Sequence, residues 1–193
     1  MSDEKRTVSE KADFKRELTG VVPHLRAFAT SLCGNRERAD DLVQETILKA
    51  WDNRSSFAVG TNLKAWLFTI LRNTYFSERR KRKREVEDAD GKISGRVAVH
   101  GEQQGHMDFH DFQQALIQLS EDQREALILV GAEGFSYEEV AEICGCAVGT
   151  VKSRVNRART RLADLLGVGS VSEFGPEPVS GGIISTRRSS DAM

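Results

Sequence analysis

Apolar residues recur at helical spacing through the first half of the chain. Leu25, Phe28, Ala29 and Leu32 fall at i, i+3, i+4 and i+7, which puts them on one helix face. Pro23 suits the first turn of that helix, where a missing N–H leaves nothing unbonded. Gly34 and Asn35 interrupt the pattern. A second stripe holds Ala39, Leu42, Val43, Thr46, Ile47, Ala50 and Trp51, and a third holds Leu63, Trp66, Leu67, Ile70 and Leu71. Residues 53–60 between them are a loop by composition. The third helix runs into six consecutive bases at 79–84, followed at once by Glu85, Glu87, Asp88 and Asp90. Periodicity is lost over 86–107, where Gly91, Gly95, Gly101 and Gly105 occur, so this stretch reads as a flexible linker.

Helical spacing returns near Met107. Ala115, Leu116 and Leu119 predict a short helix. Ser120-Glu-Asp-Gln123 has capping-box form and opens a helix through Leu127, Ile128 and Val130, closed by Gly131 and Gly134. Ser136-Tyr-Glu-Glu139 repeats the box ahead of Val140, Ala141 and Ile143, and Gly145 fits a left-handed turn position. A long helix over 150–166 follows, with Val151, Val155, Ala158 and Leu162 as its apolar stripe. Nothing alternates with the period of a strand. The pattern predicts an all-α fold of two small helical domains, 10–85 and 108–167, joined by the linker. Residues 168–193 are Gly/Ser/Pro-rich and are expected to be disordered.

Charge changes this picture by its placement. With 28 Lys and Arg against 29 Asp and Glu, the chain has no overall positive field to announce a nucleic-acid partner. The bases are segregated, however. The 150–166 helix carries Lys152, Arg154, Arg157, Arg159 and Arg161 against one acid, Asp164. A short helix, a glycine turn and a basic helix over 136–166 is the layout that seats a helix in the DNA major groove. The alternative, a solvated basic face on a helical hairpin, explains neither the two capping boxes nor Gly145. The run 79–84 ends a helix bearing Trp66, Phe68, Tyr75 and Phe76. Trp66 reads as core, whereas Tyr75, Phe76 and the basic run suit single-stranded DNA, whose bases stack on rings while cations track its backbone.

Other chemistry is sparse. No Gly-rich phosphate loop, Ser/His/Asp arrangement or carboxylate pair is present, so no enzyme activity is expected. His100, His106 and His110 with Cys144 and Cys146 make a weak zinc candidate, and neither metal nor cofactor is expected. Three cysteines are too few for a disulfide framework. The polar N-terminus has no apolar signal core, and no apolar run reaches the ~20 residues that span a bilayer. A cytoplasmic protein without membrane contact is expected.

Specific segments then match a family. Ala39-Asp-Asp-Leu-Val-Gln-Glu-Thr46, followed by Trp51, resembles the core-polymerase-binding segment of bacterial sigma factors. Asn62-Leu-Lys-Ala-Trp-Leu-Phe-Thr-Ile-Leu-Arg-Asn73 resembles their promoter-melting and −10-reading segment. Leu119-Ser-Glu-Asp-Gln-Arg-Glu-Ala126, the segment 135–143 and Gly149-Thr-Val-Lys-Ser-Arg154 resemble their −35-binding domain. Two domains alone are the arrangement of the extracytoplasmic-function (group 4) sigma factors. The segment 23–34 and the Cys-Gly-Cys turn look most like the EcfG-like subgroup of the alphaproteobacterial general stress response.

The resemblance implies a set of roles. Asp41, Gln44, Glu45 and Lys49 would face the β′ clamp of RNA polymerase core, and the second domain its β flap. Phe57 and Asn73 would form a pocket for a flipped −10 base, with Tyr75, Arg79 and Arg80 also on −10 DNA. Lys152, Ser153, Arg154, Asn156, Arg157 and Arg159 would read a GGAA-like −35 duplex. A small anti-sigma factor would wedge between the domains of an otherwise monomeric chain. Apart from the resemblance, the acidic stretch from Glu85 to Asp90 is expected to partly neutralise the adjacent bases before core binds. A sigma mimic that only sequesters an anti-sigma factor would not need the DNA-facing bases. A stand-alone helix-turn-helix repressor would leave the segments 40–51 and 62–73 unexplained.

Overall fold

The computed structural model of the chain describes residues 2–58, 60–88 and 107–167. The expected tail and the centre of the expected linker, with Asp90, lie outside them. Among the described residues every regular element is helical: α1 (Ser2–Cys33), α2 (Arg36–Asp52), a 3-10 turn (Arg54–Ser56), α3 (Leu63–Asp88), α4 (Met107–Ile117), α5 (Glu121–Gly131), α6 (Tyr137–Cys144) and α7 (Val148–Leu166). α3 therefore carries the basic run past its end, and α4 begins at Met107, so both helices trim the expected linker.

One expectation at the start of the chain is corrected. Pro23 lies inside α1, not in its first turn. A mid-helix proline loses a backbone bond and crowds the preceding turn, at about 3 kcal/mol. Leu18 and Leu25, on either side of it, are both buried, and packing of that continuous face outweighs the loss.

Local signals explain the other boundaries. The side chain of Asn35 accepts from Arg38 N at 2.9 Å and starts α2. Both capping boxes form: Ser120 with Gln123, and Ser136 with Glu139. Gly145 adopts φ 62°, ψ 41° and ends α6. α7 starts at Val148, two residues before the expected Thr150. The Ala147 carbonyl already accepts from Thr150 N and Val151 N, so Gly149 sits within the first turn.

Helices α1 to α3 pack around Leu25, Phe28, Leu67, Phe68 and Leu71. Helices α5 to α7 close around Leu129, Val140, Val151 and Val155, with α4 laid on α7 through Ala115, Leu119, Ala158 and Leu162. The apolar core continues from one group of helices into the other. Phe68 of α3 meets Phe135, which precedes α6, edge to face at 5.2 Å. α3 lies against α6 and α1 against α5, so the two domains share a packed seam.

Candidate nucleic-acid interface

The helical repeat of α7 sorts its bases into two sets. Val151, Val155, Ala158 and Leu162 are buried against the rest of the domain. Lys152, Asn156, Arg157, Thr160 and Arg161 are exposed, and Ser153 is half-buried at their edge. Ser153, Asn156, Arg157, Thr160, Arg161 and Asp164 border one shallow outward depression. Lys152 stands over the Tyr137 ring with its ammonium 5.5 Å from the centroid.

Arg154 and Arg159 do not join this face. Arg154 turns back to α5, where its Nη2 donates to Asp122 Oδ2 at 2.6 Å. Its Nη1 lies 3.8 Å from Cys146 Sγ. Arg159 is buried, one turn after Val155 and three residues before Leu162, on the apolar stripe itself. Of the bases expected on the −35 duplex, the 3.6-residue repeat leaves Lys152 and Arg157 outward and turns Arg154 and Arg159 inward.

Around the first half of α3, Asn73 lines a recess of about 360 Å³ with Lys49, Asn53, Ser56, Trp66, Ile70, Thr74 and Ser77. Phe57 is not in this lining. It packs beside it, 5.4 Å from Trp66 and 6.2 Å from Phe14 between ring centroids. Tyr75 is a second correction: it is 2% exposed, and its hydroxyl donates to the Leu32 carbonyl at 3.1 Å. A ring so enclosed offers no face to a base. Burial also pushes the Tyr75 phenol above its usual range. Arg80 is exposed, with Nη2 on Ser77 Oγ, while Arg79 is paired with Glu121 of α5.

The outer face of α2 presents Asp41, Gln44 and Lys49 to solvent, with Glu45 half-buried between them. Lys49 Nζ lies 2.7 Å from Glu45 and donates to Thr74 Oγ1 at 3.1 Å. The bond from Lys49 to Glu45 holds the Glu45 carboxyl below its usual range, while burial and the neighbouring Glu45 raise that of Glu78. Leu48, outside the apolar stripe, is 65% exposed on this face. Trp51 lies at the rim of the buried stripe, 37% exposed, with the Arg54 guanidinium 5.2 Å from its ring. The signal for Leu48 was available, since it falls one residue out of phase with Ile47.

The seam is where most of the unforeseen chemistry lies. Arg72 of α3 places Nε 2.6 Å from Glu125 Oε1 of α5, and the Glu125 side chain is fully buried. Burial pushes the Glu125 carboxyl up against the opposing pull of Arg72. It also drives the adjacent Cys144 thiol up to about 12, with help from Glu125. Glu133 lies 2.9 Å from both Lys64 Nζ and His24 Nδ1. Asn62 donates to Glu139 at 2.8 Å, and the Ser136 N–H holds that carboxyl low. Arg124 donates to the Ser31 and Leu32 carbonyls of the first domain and to those of Ile117 and Leu119 in its own. The pairs that cross the seam join residues dozens of positions apart, a relation no local motif encodes.

Next to the seam, α1, α4, α5 and α7 enclose a mainly apolar groove of about 420 Å³. Ala27, Phe112, Leu116, Leu127, Ile128 and Leu162 are among its lining. Among the described residues no cluster of three His, Cys, Asp or Glu side chains could hold a metal ion, and none of the helices is long and apolar enough to cross a membrane. His100 and His106 lie outside the described residues.

Comparison with known proteins gives two family matches, Sigma-70 region 2 at residues 19–85 and Sigma-70 region 4 at residues 109–162. The chain is 60% identical over 161 residues to the ECF RNA polymerase sigma factor EcfG of Rhodopseudomonas palustris, covering 83% of this chain and 89% of the relative. It is 35% identical over 125 residues to ECF sigma factor SigC of Mycobacterium tuberculosis, covering 64% and 68%. Among solved structures, sigma factor RpoE of Bartonella quintana, in complex with the anti-sigma factor NepR, superposes with a TM-score of 0.75. The identity is 59%, over 82% of this chain and 99% of that one. PhyRSL of Sphingomonas sp. Fr1, in complex with NepR, has a TM-score of 0.60 at 18% identity over 90% of this chain and 98% of that one, a likeness of fold.

Proposed function

The chain belongs to the extracytoplasmic-function RNA polymerase sigma factors, which start transcription at chosen promoters, and we propose a division of that work among its surfaces. α7 reads the −35 duplex through Lys152, Ser153, Asn156 and Arg157. The recess at Asn73 takes a base of the opened −10 strand, with Phe57 bracing its rim and Arg80 on the backbone. Unstacking one base costs a few kcal/mol, and polar edges such as Asn53, Ser56 and Asn73 supply the hydrogen bonds that offset it. Asp41, Gln44, Glu45, Lys49 and the exposed Leu48 meet the β′ clamp of polymerase core, and the second domain meets the β flap.

The observation that carries this reading is the outward set on α7: four residues at helical spacing, free of the apolar stripe and suited to a groove. Arg154 and Arg159 are assigned instead to holding α7 in place. The apolar groove between α1, α4, α5 and α7 is assigned to a helix of an anti-sigma protein. Its support is the groove's apolar lining and the NepR complex of the B. quintana relative. Domain limits follow the helices, with 10–88 as the polymerase and −10 unit and 107–167 as the −35 unit.

The test is run-off transcription with purified core polymerase on a promoter bearing a GGAA-type −35 element. A transcript that disappears with Asn156→Ala/Arg157→Ala, and weakens with Asn73→Ala, is expected. Full transcription by both variants would sink the assignment.

A further inference from the structure

Four rings from four separate segments meet beside the Asn73 recess. Phe14 comes from α1, Trp51 from the last turn of α2, Phe57 from the loop after the 3-10 turn, and Trp66 from the first turn of α3. Between centroids, Phe14 stands 6.3 Å from Trp51, 6.2 Å from Phe57 and 6.5 Å from Trp66. Separations of about 4.5–7 Å are ring contacts, so Phe14 touches each of the other three. It lies one turn before the buried Leu18 on α1, and ahead of the segment 19–85 that matches Sigma-70 region 2. Two of its neighbours belong to the recess walls. Trp66 lines the recess directly, and Phe57 follows Ser56, which lines it together with Asn53. Hydrogen bonds fold that stretch on itself: Ser56 N and Oγ both donate to the Asn53 carbonyl, and Phe57 N donates to that of Arg54. Asn53 and Ser56 are exposed, so no burial of their own fixes them. The Phe57 ring is their anchor to α1 and α3.

We propose that Phe14 is a positioning residue for the recess: wedged among Trp51, Phe57 and Trp66, it fixes the loop wall bearing Asn53 and Ser56 where, with Asn73, it selects one base. This rests on the reading of the recess as the seat of an opened −10 base, and it names a residue outside the recess that sets its selectivity. The physical reason is tolerance. Groups that read a ligand must be held to within about 0.5 Å by packed neighbours, and the neighbours here are rings. α1 supplies a stationary backing, because Leu18, Leu25 and Phe28 bury it in the core. Truncating Phe14 opens a void beside Phe57 and Trp66, and the loop relaxes toward it. Asn53 and Ser56 then no longer meet the base edge together with Asn73. A polar site rejects a wrong base by leaving fixed groups unpaired, so a wall free to shift discriminates less.

The test is run-off transcription by the full chain with core polymerase, on promoters carrying every base at each −10 and −35 position in turn. Asn73→Ala identifies the position that the recess reads, as the one where preference among the four bases flattens. Phe14→Ala should flatten the preference at that same position, on the order of tenfold in the ratio of best base to worst, and leave the −35 preferences unchanged. Phe14→Tyr keeps the ring and should restore the ratio. Phe14→Leu keeps an apolar side chain where alanine would unfold the domain, and should flatten the same position less. Phe14→Ala/Asn73→Ala should flatten it no further than Asn73→Ala alone, since both act through one gap between walls. Equal loss of transcript with all four bases would make Phe14 a packing residue only and overturn the proposal. A flattened Asn73→Ala profile beside unchanged Phe14→Ala and Phe14→Leu profiles removes the positioning role and leaves the recess reading standing. No change at any −10 position in Asn73→Ala removes both.

Discussion

Replacing Arg72 by Ala isolates the seam's buried pair. Glu125 is fully buried and Arg72 is 18% exposed, so the carboxylate would lose its cation in a place that water reaches poorly. Breaking such a pair from one side costs about 3–5 kcal/mol, because a charge is left without a partner. Adding Glu125→Met removes the stranded charge and should recover part of that loss. Urea denaturation of wild type, Arg72→Ala, Glu125→Met and the double variant closes a thermodynamic cycle. The coupling expected between neighbours in one network is about 0.5–3 kcal/mol, with the double variant more stable than the sum of its parts. The sign with pH follows from the raised Glu125 carboxyl. A group whose folded pKa lies above its unfolded value favours the folded state below the unfolded pKa, and that contribution is lost as pH rises through the folded one. Arg72 opposes that rise, so without it the folded pKa goes higher still and the Arg72→Ala deficit should widen from pH 5 to pH 8. Additive single losses, or a deficit that shrinks over that range, would refute the account of the seam.

Three further outcomes are expected. Arg157→Ala should cost about 1–3 kcal/mol at one or two −35 positions if it makes base contacts, whereas Arg154→Ala should lower the melting temperature and leave the base profile unchanged; binding to a panel of substituted duplexes separates them. Gly145→Ala meets no atom within 4 Å, so its loss of about 1 kcal/mol comes from the left-handed backbone alone, and Gly145→Asn should lose less in the same melt. Glu139 has a depressed carboxyl, so its contribution is present above the unfolded value and disappears as pH falls through the folded one; acid titration of Glu139→Gln against wild type should show the two curves converging at low pH.

The helices were legible because their signals are local. Apolar spacing marked the stripes of α2, α3 and α7, the two serine boxes opened α5 and α6, and Gly145 closed α6. Pro23 misled because a local rule was applied where buried Leu18 and Leu25 prolong the helix on both sides. Among the site residues, Lys152, Asn156 and Arg157 could be placed from the helical period. Arg159 could have been excluded by the same period, since it falls on the stripe with Val155 and Leu162. Tyr75 could not: its burial depends on Leu32 and on α5, both remote in sequence. For the same reason Arg72 read as part of a DNA segment and Glu125 as part of a capped helix, although each is chiefly the other's partner.

Arg124 has a consequence for how readily the seam re-forms. Two of its bonds are to carbonyls of its own domain, at Ile117 and Leu119, so the guanidinium stays aimed when the domains are apart. Across the seam, the Tyr75 hydroxyl already fixes the Leu32 carbonyl that Arg124 meets. Donor and acceptor are thus preorganised before they touch, and closure immobilises little that was free. A separated chain left without partners should snap shut quickly, and the interval in which its inner faces stand uncovered should be short.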